Sequence, residues 1–384
     1  MDKRKRIALS YRLGYNFSAG VVIYIQNIIK GFKLLDDHLR PHLIVIYSEQ
    51  SPIEDIKEIN YPYIEYYLYK PISRNFFKLA INKITKTFLK TYLIKRQSFP
   101  KNIDLLYPYF ECEETYFYKE RMYWKPDFQE QFYPQYISKN EFDFVDSEMK
   151  KIASNPNYTL VLSSQSAIKD YKTYFSPILN PVKLLRFISL LPDASRTEKG
   201  KLLNEYTITE QYFIVANQFW PHKNHMLILE AMKILFDKGK VFQIVMTGKK
   251  SSYRDENYLL KMETFIKENG LEKNVKLTGF ISREDQLVLM KNAICALQPS
   301  LFEGWSTVIE DCKSLNQFVI ASDLEVNIEQ INTNCLFFER NNAMDLAEKM
   351  EMVLNGKTKI EHYNYLLNIE EFKNNLVTVF ELNR

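Results

Sequence analysis

Residues 299–315, reading Pro-Ser-Leu-Phe-Glu-Gly-Trp-Ser-Thr-Val-Ile-Glu-Asp-Cys-Lys-Ser-Leu, carry the densest set of chemically useful groups in the chain. Glu303 offers a carboxylate that can accept hydrogen bonds from sugar hydroxyls. Gly304 permits close backbone approach. Ser306 or Thr307 can cap a helix whose free N–H groups and positive dipole end suit a diphosphate without a metal ion. A second acid, Glu310 or Asp311, follows inside that helix. A helix-start acid favoured by the dipole explains the second acid on its own, but leaves the preceding Glu-Gly-Trp unexplained. The other candidate stretch is Asn217, Gln218, Phe219, Trp220, Pro221, His222, Lys223, Asn224, His225, ahead of an apolar-periodic helix from Met226. Lys223 at that helix start adds a full charge to free N–H groups and suits a phosphate; a solvated surface lysine is the competing reading. His222 and His225 have no third ligand nearby, and no His, Cys or carboxylate cluster has metal-ligand spacing, so no metal is expected.

These loops must be positioned by a sheet. Short β-branched or aromatic runs at 212–217, 242–247, 274–278, 294–298, 318–322 and 335–338 alternate with helical stretches, the pattern of a parallel sheet covered on both faces. A less regular set at 6–10, 43–47, 63–68, 103–107, 122–124 and 159–163 predicts a second Rossmann-like domain. Residues 191–201, with Pro192, Asp193, Gly200 and a polar cluster, read as the linker. The expected organisation is therefore an α/β protein of two Rossmann-like domains facing each other across a cleft: 1–193, then 194–365, with a C-terminal helix at about 366–384 packing back on the first. In open α/β sheets ligands bind beyond the carboxyl ends of the strands, where both candidate loops lie. A helix starting near Ser306 puts Val308, Cys312 and Leu315 on one buried stripe with Ile309 beside it. Asp311 then borders the stripe at the cleft wall, and Glu310 points into solvent.

The 384-residue length fits two domains, and 46% hydrophobic with 26% charged residues is the composition of a globular protein. A net charge of +4 is too small to imply nucleic-acid binding. The cysteines, Cys112, Cys295, Cys312 and Cys335, show no paired spacing, which fits a reducing cytoplasm. No signal-peptide core and no apolar run of membrane-spanning length is evident. Residues 74–96 hold Arg74, Lys78, Lys83, Lys86, Lys90, Lys95 and Arg96 with no acid, while Phe77, Ile81, Ile84, Phe88 and Tyr92 recur at helical spacing. That predicts a basic amphipathic helix lying on an anionic membrane surface. The alternative is a helix whose apolar face packs on the N-terminal sheet.

The chain resembles the family 4 (group 1) glycosyltransferases, which share the two-domain GT-B fold. The likeness spans most of the chain and is strongest over 212–330. It rests on the acid, seven intervening residues and second acid from Glu303 to Asp311, on the Glu-Gly-Trp-Ser-Thr run, and on the loop 217–225. Weaker matches lie at Gly20 within 18–27, at the cleft-facing loop 124–129 with Asp127, and at 163–171. The sequence departs from the family's pattern at Gln218, where an arginine is common, at Asp311, where glutamate is usual, and at Glu130, where near relatives carry histidine.

The resemblance implies a retaining, metal-independent transferase with a nucleotide-sugar donor and no cofactor. In that reading Glu303 orients the donor sugar and Lys223 stabilises the leaving diphosphate. Asp311 binds the ribose, Gly20 lets the backbone meet the diphosphate, and Asn217, Gln218, Gly304, Trp305, Ser306 and Thr307 complete the donor loops. Phe280 and Ile281, after Gly279, edge a base pocket, with an ordinary loop the competing reading. The implied acceptor is a glycan or lipid-linked sugar in bacterial surface polysaccharide synthesis, at the inner face of the cell membrane. The rival readings are a nucleotide-sugar epimerase or glycan synthase on the same fold, and a catalytically weak GT-B-like binding partner.

Overall fold

The computed structural model describes residues 4–11, 19–70, 75–89, 91–95, 99–192, 197–250, 255 and 257–383. In the N-terminal half the strands are β1 (Arg6–Tyr11), β2 (His42–Tyr47), β3 (Ile64–Leu68), β4 (Leu105–Tyr107), β5 (Arg121–Lys125), β6 (Tyr158–Leu162) and β7 (Val182–Leu184). They pair in parallel as β3-β2-β1-β4 and β5-β6-β7. Tyr109 N donates to Met122 O at 2.7 Å where the two sheets meet. The runs Ile7-Ala8-Leu9 and Leu43–Ile46 are almost wholly buried, as strands covered on both faces must be. The helices here are α1 (Ala19–Leu34), α2 (Ile53–Lys57), α3 (Phe76–Phe88), α4 (Gln129–Phe132), α5 (Lys139–Ala153) and α6 (Gln165–Phe175). Ser138 caps α5 by accepting from Glu141 N, and Ser164 caps α6 by accepting from Ala167 N.

The C-terminal half carries β8 (Tyr212–Val215), β9 (Gln243–Thr247), β10 (Val275–Gly279), β11 (Cys295–Gln298), β12 (Val319–Ser322) and β13 (Cys335–Phe338), in the order β10-β9-β8-β11-β12-β13. This is the doubly wound 3-2-1-4-5-6 arrangement, which opens a crevice where the order reverses between β8 and β11. One face is covered by α8 (His225–Asp237), α9 (Tyr258–Glu268) and α13 (Ala343–Leu354). The other is covered by α7 (Lys199–Glu205), α10 (Arg283–Asn292) and α11 (Thr307–Leu315). The short α12 (Glu325–Gln330) follows β12.

The last helix, α14 (Leu366–Val379), leaves this domain and packs on α1, placing Phe372, Leu376 and Phe380 among Ile25, Ile28, Ile29 and Phe32. Gly31 makes the approach possible: a Cβ there would stand 2.5 Å from both Leu376 Cδ1 and Phe372 Cε1.

The expected strands are all present, with ends shifted by a residue or two. Strand β7 was not expected, because three residues with a central lysine show no period. The helix expected over 74–96 is Phe76–Phe88, and Arg74, Lys90 and Arg96 lie outside the described residues. It stops early because the chain turns back, Asn82 exchanging two hydrogen bonds with the backbone of Ile94 at 2.9 and 3.0 Å. Of the expected linker, 193–196 lie outside the described residues, and α7 begins at Lys199.

Candidate functional site

The crevice between β8 and β11 holds a chain of buried polar groups. Asn217 Nδ2 donates to Gln298 Oε1 at 2.8 Å, and Gln298 Nε2 donates to Glu303 Oε1 at 2.6 Å. Lys223 Nζ reaches the same carboxylate oxygen at 2.5 Å. Both charged side chains are mostly buried, which makes the pair stronger than a surface one. Lys223 stands in a single 3-10 turn, Pro221–Lys223, whose proline fixes φ and which Asn224 closes in the left-handed region at φ 54°. Leu301 N donates to His222 O at 2.8 Å, so the two loops are also tied through the backbone. His225 opens α8 fully buried, its ring stacked 4.9 Å from Phe219, and burial pushes its pKa down to about 3. It is a neutral core residue. Gln298 was not singled out from sequence; the available signal was a polar residue ending the apolar run Cys295-Ala296-Leu297.

The loops after β9 and β10 close the crevice from one side. Gly248, at φ 145°, sits against the carbonyl of Asn217, and a Cβ there would overlap that oxygen and lie 3.0 Å from Gln218 Cα. Gly248 N donates to Gly279 O at 2.9 Å, and Phe219 N to Lys249 O at 3.3 Å. Gln218 is half-buried beside this lacing. Phe280 is 84% exposed at its rim, and Ile281 packs on the sheet core.

Ser306 caps α11, its Oγ accepting from Ile309 N at 3.3 Å. Gln330 brackets the cap, accepting from Ser306 N at 2.9 Å and donating to Ser306 O at 2.8 Å. The amides of Thr307 and Val308 come next, in the helix's first turn, where no carbonyl of the same helix lies in reach.

Four expectations change here. Gly304 makes room for protein: a Cβ would stand 2.6 Å from Pro126 O and 2.8 Å from Asp127 Oδ2, so the loop after β5 is pressed against it. Trp305 is a joint between the domains rather than a donor wall. It is buried against Phe187, Leu324 and Val326, with Nε1 donating to Phe187 O at 3.0 Å. Glu310, expected in solvent, is buried; it accepts from Lys313 at 2.8 Å, Gln330 at 3.1 Å and Tyr365 OH at 2.6 Å. The periodicity of α11 could not show this, because the cover comes from α12 and from Tyr365, just ahead of α14. Asp311 is buried as expected, but both its oxygens are engaged: Arg283 clamps them, with NH1 2.7 Å from Oδ2, and Ser189 Oγ donates to Oδ1 at 2.6 Å.

On the N-terminal side, Asp127 Oδ1 accepts from Gln129 N at 3.0 Å. Burial pushes its carboxyl above the usual range, with Lys125 opposing and Glu130 and Glu303 adding to the rise. Glu130 pairs with Lys125 at 2.9 Å. Gly20 lies in the first turn of α1, and Ser18 is outside the described residues. Glu329 bridges the domains, accepting from Gln165 N at 2.9 Å, Ser166 N at 3.1 Å and Arg186 at 2.6 Å.

Residues 201–367 match the family model for glycosyl transferases group 1. The match covers most of the C-terminal domain and less than half of the chain. A curated member, the O-antigen chain mannosyltransferase RfbU of Salmonella typhimurium, is 22% identical over 165 residues, which are 43% of this chain and 44% of that protein, so the chain spans less than half of this relative's length. Among solved structures, HepE of Anabaena in complex with UDP-glucose superposes with a TM-score of 0.68 at 14% identity, covering 98% of this chain and 99% of that one. A glycosyltransferase from Rickettsia africae superposes with a TM-score of 0.65 at 17% identity, covering 100% and 96%. The matched segment thus sits in a GT-B fold of two Rossmann-like domains.

Proposed function

We propose that this chain is a group 1 glycosyltransferase that moves a sugar, with retention of configuration and without a metal ion, from a nucleotide-sugar donor to a glycan or lipid-linked acceptor in bacterial surface polysaccharide synthesis. The observation that carries the reading is the Lys223–Glu303 pair at the strand-order switch point, with the start of α11 in the same loop. As the donor's glycosidic bond breaks, negative charge grows on the nucleoside diphosphate. The Lys223 ammonium and the Thr307 and Val308 amides stabilise it, held in place beforehand by the fold. Gln298 and Lys223 both address Glu303 Oε1, which aims Oε2 at a donor-sugar hydroxyl. Asp311 takes a ribose hydroxyl in the place that Ser189 Oγ fills, while Arg283 holds the carboxylate in position. Gln218 and the Gly279–Ile281 turn edge the base, and Gly20 and Asp127 face the donor from the other domain. The leaving phosphate takes the acceptor's proton, so no cofactor is needed.

RfbU, named an O-antigen mannosyltransferase, and HepE, crystallised with UDP-glucose, support the donor class and the polysaccharide setting. A lipid-linked acceptor would put the work at the cytoplasmic face of the cell membrane. Incubation with a panel of nucleotide sugars in excess chelator should release nucleoside diphosphate, and proton NMR of the product should show the donor's anomeric configuration. Turnover that requires added magnesium or manganese, or an inverted product, would sink the reading.

A further inference from the structure

Helix α3 is built inside out. Its buried residues are polar, Asn82 and Thr85, and Asn82 spends its amide on the backbone of Ile94. Its large apolar residues face outward: Phe76 is 78% exposed, Phe77 75% and Phe88 79%, with Leu79, Ile81 and Ile84 exposed beside them. At about 100° per residue, Phe77, Ile81, Ile84 and Phe88 form one stripe about 130° round from Asn82, with exposed Lys78 about 90° from its centre on one side and exposed Lys83 about 130° away on the other. The expectation that this apolar face packs on the N-terminal sheet is therefore not met. An exposed apolar surface of this size on a globular protein marks a surface that something covers.

We propose that α3 seats this chain on an anionic lipid bilayer, the phenylalanines entering the acyl boundary and the lysines meeting the headgroups. The charges select that partner. No acid occurs anywhere from residue 74 to residue 96, so a second copy of the helix would set lysine against lysine, whereas an anionic leaflet attracts each of them. Lys86 is engaged within the protein, over the Tyr116 ring at 3.9 Å, and so takes no part.

The test is sedimentation with phosphatidylcholine vesicles, either pure or carrying about a third phosphatidylglycerol. The intact chain should bind the anionic vesicles at least tenfold more than the neutral ones, less so in high salt. Phe77→Ser with Phe88→Ser, and separately Lys78→Glu with Lys83→Glu, should each cut binding about tenfold. Thermal midpoints should not move, because all four side chains are solvent-facing. Equal binding to both vesicles, binding to neither, or binding indifferent to the phenylalanine pair would overturn the proposal. So would a dimer in sedimentation velocity that the phenylalanine variant splits.

Discussion

Lys223 Nζ rests 2.5 Å from Glu303 Oε1, joining the loop after β8 to the loop after β11 across the point where the strand order reverses. A cation suited to a leaving diphosphate and a carboxylate suited to a sugar hydroxyl thus hold each other in position. Lys223→Ala and Glu303→Gln should each lower kcat by about a hundredfold, and the double variant should lie close to the worse single one. The coupling is on the order of 1–3 kcal/mol for residues in direct contact. A double-mutant cycle on kcat/KM that came out additive would show that the pair does not act as a unit.

The two neighbouring acids of α11 should separate cleanly. Asp311→Asn weakens donor binding, raising KM about tenfold with a smaller change in kcat, as loss of a hydrogen bond to a charged group predicts. Glu310→Gln strands Lys313 in a buried site and should cost about 3 kcal/mol in stability. Donor KM well below the melting temperature should stay as it was. Urea unfolding beside steady-state kinetics reads both, and the reverse pattern would exchange the two assignments.

Two glycines predict different failures. Gly248→Ala forces a side chain into φ 145° and against a carbonyl, so stability should fall by about 2 kcal/mol or more. Gly304→Ala instead collides with Pro126 of the facing domain, and Glu303 is its immediate neighbour. Turnover should drop more than tenfold through misplacement of that carboxylate while far-UV circular dichroism stays unchanged. A Gly304→Ala enzyme with full turnover would mean that the two domains are not this close when they react.

Acid–base behaviour should show at Asp170, on α6. Burial raises its pKa from 3.8 to about 6, with Glu325 and Asp127 pushing the same way and Lys169 opposing. Between those values the folded chain holds a proton that the unfolded chain has lost, so stability falls as pH rises from about 4 through about 6. Asp170→Asn removes that fall, and its advantage over the parent in thermal melts should be larger at about pH 7 than at about pH 4. Parallel curves would place the carboxylate in a more solvated setting.

The sheet of the C-terminal domain was legible because its strands are runs of buried residues separated by polar turns, and the order of loops then located Lys223 and Glu303. Their meeting on one oxygen was not legible, since they are 80 residues apart, and the further donor to that oxygen is Gln298, an ordinary strand-end residue. Glu310 misled for a related reason. Helical phase tells which side of α11 meets its own sheet, but Tyr365 reaches its other side from the far end of the domain. Trp305 and Gly304 read naturally as ligand-facing, yet they are shaped by Phe187 and Pro126 of the opposite half, contacts that no local pattern records. For α3 the period and the charge were plain, while which face looked outward needed the structure.

The seating of α14 on Gly31 sets an order of events during synthesis. The groove on α1 leaves the ribosome before the C-terminal domain, but Phe372, Leu376 and Phe380, which fill it, leave after that domain. The intervening domain has its own sheet and both covering layers, so it can close on itself while the earlier half still presents bare isoleucine and phenylalanine. The first half of this chain to be made is thus the second to be finished. A nascent chain stalled before residue 366 should be held by chaperones that bind exposed apolar groove, and one released with α14 in place should not.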